Sequence, residues 1–233
     1  MKRLLRYRDV WLIGSGGKTT LMFTLASLCQ QLGKSVLCTT TTKIWAPSSE
    51  QCADVRLGQY DALTAGLRRL PSIPVTVASH EQGGKLVGFG PEQAMQLSAL
   101  ADHVIVEADG SAGLPVKAHA AHEPVLHESA SCVVAVVGGW CIGKPLDSHH
   151  VHRPQLFSEL SGRLQGDTIR ANDVAAVLLG PGGWLERVPG RAAVHLVVTG
   201  PGAELFSCLE RHERAASLAG LHRWATSSST LFS

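Results

Sequence analysis

Val10-Trp11-Leu12-Ile13-Gly14-Ser15-Gly16-Gly17-Lys18-Thr19-Thr20 is the stretch whose reading decides the fold. Its first four residues are apolar and read as a short buried strand. Three glycines break the run, and Lys18-Thr19-Thr20 opens an apolar-periodic segment that reads as a helix. Strand, glycine loop and helix, in that order, is the setting of a phosphate-binding loop. Glycines permit the positive φ values at which successive N–H groups converge on an anion, and the free N–H groups of the helix's first turn extend the cradle. In such a loop Gly14, Ser15, Gly16, Gly17, Lys18, Thr19 and Thr20 hold the nucleotide. Lys18 would face solvent and reach the β- and γ-phosphates, and the Thr19 hydroxyl would sit on Mg²⁺.

The pattern G-x-x-x-x-G-K-[ST] asks for glycine at position 12, where this chain has Leu12. The glycines are packed instead at 14, 16 and 17, which resembles the shortened loops of SIMIBI-type ATPases and GTPases. The extra lysine that such loops often carry is absent between Ile13 and Gly17.

Outward from the loop, Leu21, Leu25, Leu28 and Leu32 recur at helical spacing and Gly33 ends the helix. Ser35–Cys38 reads as a second strand, residues 48–58 as loop, and Leu63, Leu67 and Leu70 as a helix stopped by Pro71. Val75 and Val77 mark another strand, with Gly83-Gly84 turning it into Leu86–Phe89. His103–Glu107 is a central strand, as are Val133–Val137 and Val194–Val198. Helices are expected from Pro91 to about Ala101, up to Leu164, from Asn172 or Asp173 to Leu179, and from Ala203 to Leu218, with a frayed tail from Thr226. Strands alternating with helices predict an α/β fold, a mostly parallel sheet with helices on both faces, in a single domain over residues 1–233.

Composition excludes several classes. At 233 residues, 17% charged and net +2, the chain has no clustered basic stripe for nucleic acid. No uncharged apolar run approaches the roughly 18 residues of a membrane span, and the first nine residues carry no cleavage signal, so a cytoplasmic protein is expected. Six widely spaced cysteines without a C-x-x-C pair read as buried thiols.

In parallel α/β sheets ligands gather at the carboxyl ends of the strands. Glu107, closing an apolar strand, is the residue expected to hold Mg²⁺, and Asp109 to polarise an attacking water. The threonine run Thr39–Thr42 offers hydroxyls, Thr41 and Thr42 above all, to metal, γ-phosphate or a second substrate. His150, His152 and Arg153, in a histidine-rich segment, read as contacts to a phosphate or second substrate ahead of a metal site.

Taken together, these residues resemble the YqeC family, described as selenium-dependent hydroxylase accessory proteins. The signatures are Gly14–Thr20, Thr39–Pro47, Val106–Gly113, His122-Glu123-Pro124-Val125, Gly143–Asp147 and His150–Pro154, spread over residues 10–154. The resemblance implies a nucleoside triphosphate-binding protein, with Mg²⁺, in the maturation of molybdenum hydroxylases or their cofactor when that cofactor carries labile selenium. It leaves two chemistries beside hydrolysis: transfer of a phosphoryl or nucleotidyl group to a small molecule, and carriage of a cofactor or selenium species with nucleotide as a structural ligand. Members of the family usually end their last core strand in something like Asn-Lys-x-Asp, which reads guanine; here Thr199-Gly200-Pro201-Gly202 stands in its place, so the base is ATP's or GTP's alike. His119 stands where the family tends to have proline.

Overall fold

The computed structural model describes residues 1–67, 70 and 73–224. Its strands are β1 (Asp9–Gly14), β2 (Val36–Thr40), β3 (Lys43–Trp45), β4 (Asp54–Leu57), β5 (Val75–Ala78), β6 (His80–Gln82), β7 (Lys85–Val87), β8 (His103–Glu107), β9 (Val116–Lys117), β10 (Cys132–Gly138), β11 (Val151–His152), β12 (Ala193–Thr199) and β13 (Gly220–Trp224). The α-helices are α1 (Lys18–Gln31), α2 (Tyr60–Gly66), α3 (Pro91–Gln96), α4 (Pro154–Ser161), α5 (Ala171–Leu179) and α6 (Ala203–Glu210). Eight strands share one sheet in the order β13-β12-β10-β1-β8-β2-β5-β4. The pairs β1–β8, β8–β2, β2–β5, β5–β4 and β12–β13 all run parallel. The chain is therefore α/β with a large, mostly parallel sheet, as its alternation of elements predicts.

It divides into two compact units. The first comprises Met1–Leu12, Thr19–Gly110 and Val125–Cys132; the second comprises Ile13–Lys18, Ser111–Pro124 and the chain from Val133 onward.

In the first unit the apolar run Val104-Ile105-Val106 is wholly buried, as a parallel strand covered on both faces requires. Register places Leu12 and Thr40 opposite Glu107, so β1, β2 and β8 come level at their carboxyl ends. Helix α1 buries Leu21, Met22, Leu25, Ala26 and Cys29. Leu32 is more than half exposed, because the helix ends at Gln31 and Gly33 takes φ 66°. The hairpin across Gly83 and Gly84 forms, with φ of 59° and 74° at the turn, but its first arm is β6. Strand β5, the expected arm, lies in the main sheet instead. The stretch 48–58 is not all loop: Asp54–Leu57 pairs with β5, its side chains alternately half-buried and exposed. Pro71, the expected helix stop, lies outside the described residues, as does the tail from Thr226.

In the second unit α6 ends at Glu210 rather than at Leu218, and β13 follows, pairing with β12 from His195↔Gly220 to Thr199↔Trp224. Small strands β9 and β11 pair in parallel, with His152 opposite Lys117. The six cysteines are free, and five are buried; burial, first of all, pushes the Cys132 and Cys141 thiols up to about 12. Among the described residues no helix is long and apolar enough to cross a membrane.

Candidate nucleotide-binding site

The second unit holds the glycine loop itself. Gly14, Gly16 and Gly17 take φ of 93°, 83° and 118°, the left-handed region that favours glycine. Space demands glycine too: a Cβ on Gly14 would stand 2.3 Å from the Trp184 ring, and one on Gly16 would stand 2.4 Å from the Gly138 nitrogen. Ser15 N–H donates to Val136 O at 2.8 Å, and the Thr199 hydroxyl donates to Gly16 O at 2.5 Å. These contacts turn the loop's carbonyls and one N–H into the protein. The N–H groups of Gly16 and Gly17 meet no backbone carbonyl among the described residues. The Ser15 hydroxyl is fully buried and likewise has no hydrogen-bond partner among them.

Lys18 does not face solvent. It is only 3% exposed, and its ammonium donates to Gly14 O at 2.6 Å and reaches Ser111 Oγ at 3.3 Å. The side chain is folded back along the loop.

Beyond the loop, the second unit builds a charged cluster around Glu123. Its carboxylate accepts from Lys117 Nζ at 2.8 Å and, two-pronged, from Arg153 at 2.6 and 3.0 Å. Arg153 donates also to Ala118 O, and Arg187 to the carbonyls of Ala120 and Glu123. Burial pulls the Glu123 carboxyl upward, but the bonds and charges of Arg153 and Lys117 outweigh it and bring it down to about 2. Burial, then the charges of Arg153, Lys117 and Lys18, hold the half-buried His152 below its ordinary range, against the opposing pull of Glu123. His150 turns to Asp147, with Nδ1 2.7 Å from Oδ1; Asp147 also accepts the backbone N–H of His149. His119 packs on Trp184, ring centroids 4.9 Å apart.

The first unit holds the expected metal side. Thr19 Oγ1 donates to Glu107 Oε2 at 2.7 Å, and Glu107 is nearly buried. Three hydroxyls of the threonine run hold backbone carbonyls: Thr39 that of Val77, Thr40 that of Glu107, and Thr41 that of Val125. Thr42 Oγ1 lies 3.2 Å from Thr40 Oγ1. Asp109 is fully buried. Among the described residues no group of three or more His, Cys, Asp or Glu side chains is arranged to hold a metal. A magnesium ion asks for less: it keeps several waters and takes one or two protein oxygens plus phosphate, which Thr19 and Glu107 fit.

Two residues of consequence lie in stretches that the sequence reading quoted, but it gave neither a role of its own. Glu123 organises the charged cluster; the signals for it are its place in the His122–Val125 signature and its being the only acid between Ser111 and His127. Thr199 braces the loop across 183 residues of chain, a distance no local pattern spans.

Comparison with known proteins agrees with the signatures. The family model "YqeC protein" matches residues 10–155. The Escherichia coli (strain K12) protein named "Uncharacterized protein YqeC" is 36% identical over 186 residues, covering 76% of this chain and 70% of its own length. No solved structure matches. Loop, acidic strand end and histidine segment all fall within the matched span, and the chain belongs to the YqeC family.

Proposed function

We propose that the chain binds a magnesium nucleoside triphosphate on Gly14–Thr20 and hydrolyses it. The observation that carries this reading is the loop's inward face. Left-handed glycines leave the N–H groups of Gly16 and Gly17 without backbone acceptors, beside a buried Ser15 hydroxyl that lacks a partner among the described residues. The buried hydroxyl left unmade costs about 1–3 kcal/mol, and phosphate oxygens would satisfy it together with the two half-buried glycine N–H groups.

Lys18 would exchange the Gly14 carbonyl for phosphate oxygens, and Thr19 with Glu107 would hold the cation. Magnesium, when bound, neutralises charge on the transferred phosphoryl group. Glu107 and Thr19 would orient it, and Asp109, two residues beyond Glu107, would position the attacking water. Phosphoryl transfer asks mainly for positioning and charge neutralisation, which this set supplies without a covalent nucleophile. The family resemblance extends the reading to an accessory, energy-gated step in maturing selenium-dependent molybdenum hydroxylases or their cofactor, in the cytoplasm. That role rests on the resemblance alone.

Titrating a fluorescent triphosphate into wild type and Lys18→Ala tests the site. The variant is expected to bind at least tenfold more weakly while keeping its circular dichroism; equal affinity removes the nucleotide reading. Product analysis then decides the chemistry, free inorganic phosphate being the expected product.

A further inference from the structure

Arg153 stands in a backbone conformation that side chains avoid. Its φ and ψ are 67° and 65°, left-handed, immediately before Pro154 at the start of α4. Glycine would adopt that conformation freely, so a long cationic side chain there points to use of the side chain.

The guanidinium is gripped through Nη1 and one side of Nη2, which leaves its Nε edge. Nη1 and Nη2 grip the two oxygens of Glu123, and Nη1 also donates to Ala118 O. Guanidinium has five N–H donors in a rigid plane. Three are committed. The Nε donor and the second Nη2 donor lie side by side on the adjacent edge, without partners among the described residues, on a side chain one-quarter exposed. That edge matches the spacing of two oxygens of a carboxylate or phosphoryl group. Its neighbour on β11 is His152, whose imidazole makes no side-chain hydrogen bond among the described residues and lies close enough to Lys117 and Lys18 to sense their charge. Burial and the neighbouring cations favour the neutral ring, which offers one N–H donor and one ring-nitrogen acceptor.

We propose that the outward edge of Arg153, with His152, binds the phosphoryl or carboxylate group of a small acidic molecule other than the nucleotide. Glu123 is the positioning residue: it anchors the guanidinium so that the Nε edge faces outward. The proposal rests on the nucleotide reading only in treating that molecule as the nucleotide's companion substrate; the anion site stands on the geometry of Arg153 itself.

Calorimetric titration of inorganic phosphate, and separately of succinate, tests it. Both are added to wild type, Arg153→Lys and His152→Gln, first without nucleotide and then with Mg²⁺ and a non-hydrolysable triphosphate filling the glycine loop. Arg153→Lys keeps the charge opposite Glu123 and removes the Nε edge. With the loop filled, wild type is expected to bind one anion, phosphate or succinate naming the class. Arg153→Lys should bind it about tenfold more weakly at unchanged nucleotide affinity. No anion bound by wild type, equal binding by Arg153→Lys, or binding only while the loop is empty overturns the proposal, the last because the triphosphate would then own that edge. If Arg153→Lys fails to fold, His152→Gln decides: a weakened anion supports the site and an unchanged one overturns it. A protein that binds no nucleotide loses the nucleotide reading alone, since the nucleotide-free titration still compares wild type with Arg153→Lys.

Discussion

The hydroxyl of Thr199, last residue of β12, donates to the carbonyl of Gly16 at 2.5 Å and lies 3.2 Å from that of Val137. One side chain thus fixes the middle of the glycine loop to the end of a core strand, and keeps the Gly16 carbonyl turned away from where an anion would sit. A carbonyl facing a phosphate would repel it. Thr199→Val is nearly isosteric and leaves Gly16 O without its buried donor. Its expected cost is about 1–3 kcal/mol in urea denaturation, with weaker triphosphate binding at unchanged secondary structure. A variant as stable as wild type would mean that the loop is held by its other contacts.

Glu107→Gln separates metal from nucleotide. The amide keeps the shape and a hydrogen bond to Thr19 Oγ1, now 2.7 Å from Oε2, but removes the charge that a divalent cation needs. Nucleotide binding without metal is expected to survive, while magnesium-dependent phosphate release falls by at least tenfold. Wild-type turnover and metal dependence would move the metal role to Asp109.

The Glu123 cluster predicts an acid limb in stability. Its folded carboxyl, brought down to about 2, lies below the 4.5 of an unperturbed glutamate, so folding favours the ionised form. The resulting stabilisation is fully present above pH 4.5 and is lost as pH falls toward 2, on the order of 2–3 kcal/mol across that window. Glu123→Gln leaves Lys117 and Arg153 without their shared carboxylate, so it should be less stable than wild type at pH 7. Its deficit should shrink as the pH is lowered through that range. Parallel denaturation curves at several pH values check this; a constant deficit would assign the loss to packing.

What was legible from the residues, and what was not, divides by range. His103–Glu107 and Lys18–Gln31 are recognisable because a continuous apolar run and a 3.6-residue period are local signals. Gly-Gly-Lys-Thr named the loop for the same reason. Strands β4 and β13 escaped because Asp54–Leu57 and Gly220–Trp224 mix charged with apolar residues in half-covered strands, where one face is wet and no run forms. Each lies at an end of the strand order, so a neighbour on one side only dictates its pairing. The reach of Lys18 to Ser111, the Thr199 brace and the Arg153–Glu123 pair are contacts between distant segments, and composition carries no trace of them.

Base selectivity is the sharpest remaining test, and it concerns the turn after β12. A guanine-selective site places a carboxylate against the N1 and N2 hydrogens, and polar recognition of that kind rejects the wrong base by large factors. Thr199-Gly200-Pro201-Gly202 has neither the carboxylate nor spare donors. The Thr199 hydroxyl is engaged with Gly16 O, Gly200 N–H donates to Trp224 O at 3.1 Å, Gly202 N–H turns back to Gly200 O at 2.8 Å, and Pro201 has no N–H. The turn is also closed sterically: a Cβ on Gly200 would stand 2.3 Å from the Trp140 indole, and one on Gly202 would stand 2.2 Å from Val198 Cγ1. Glu204, the next acid, sits in the first turn of α6, where it complements the helix dipole. ATP and GTP are therefore expected to bind within about tenfold of each other, a difference of roughly 1.4 kcal/mol. Competition binding at equal Mg²⁺ measures it directly. A GTP preference beyond about a hundredfold would show that a carboxylate elsewhere in the chain reads the base.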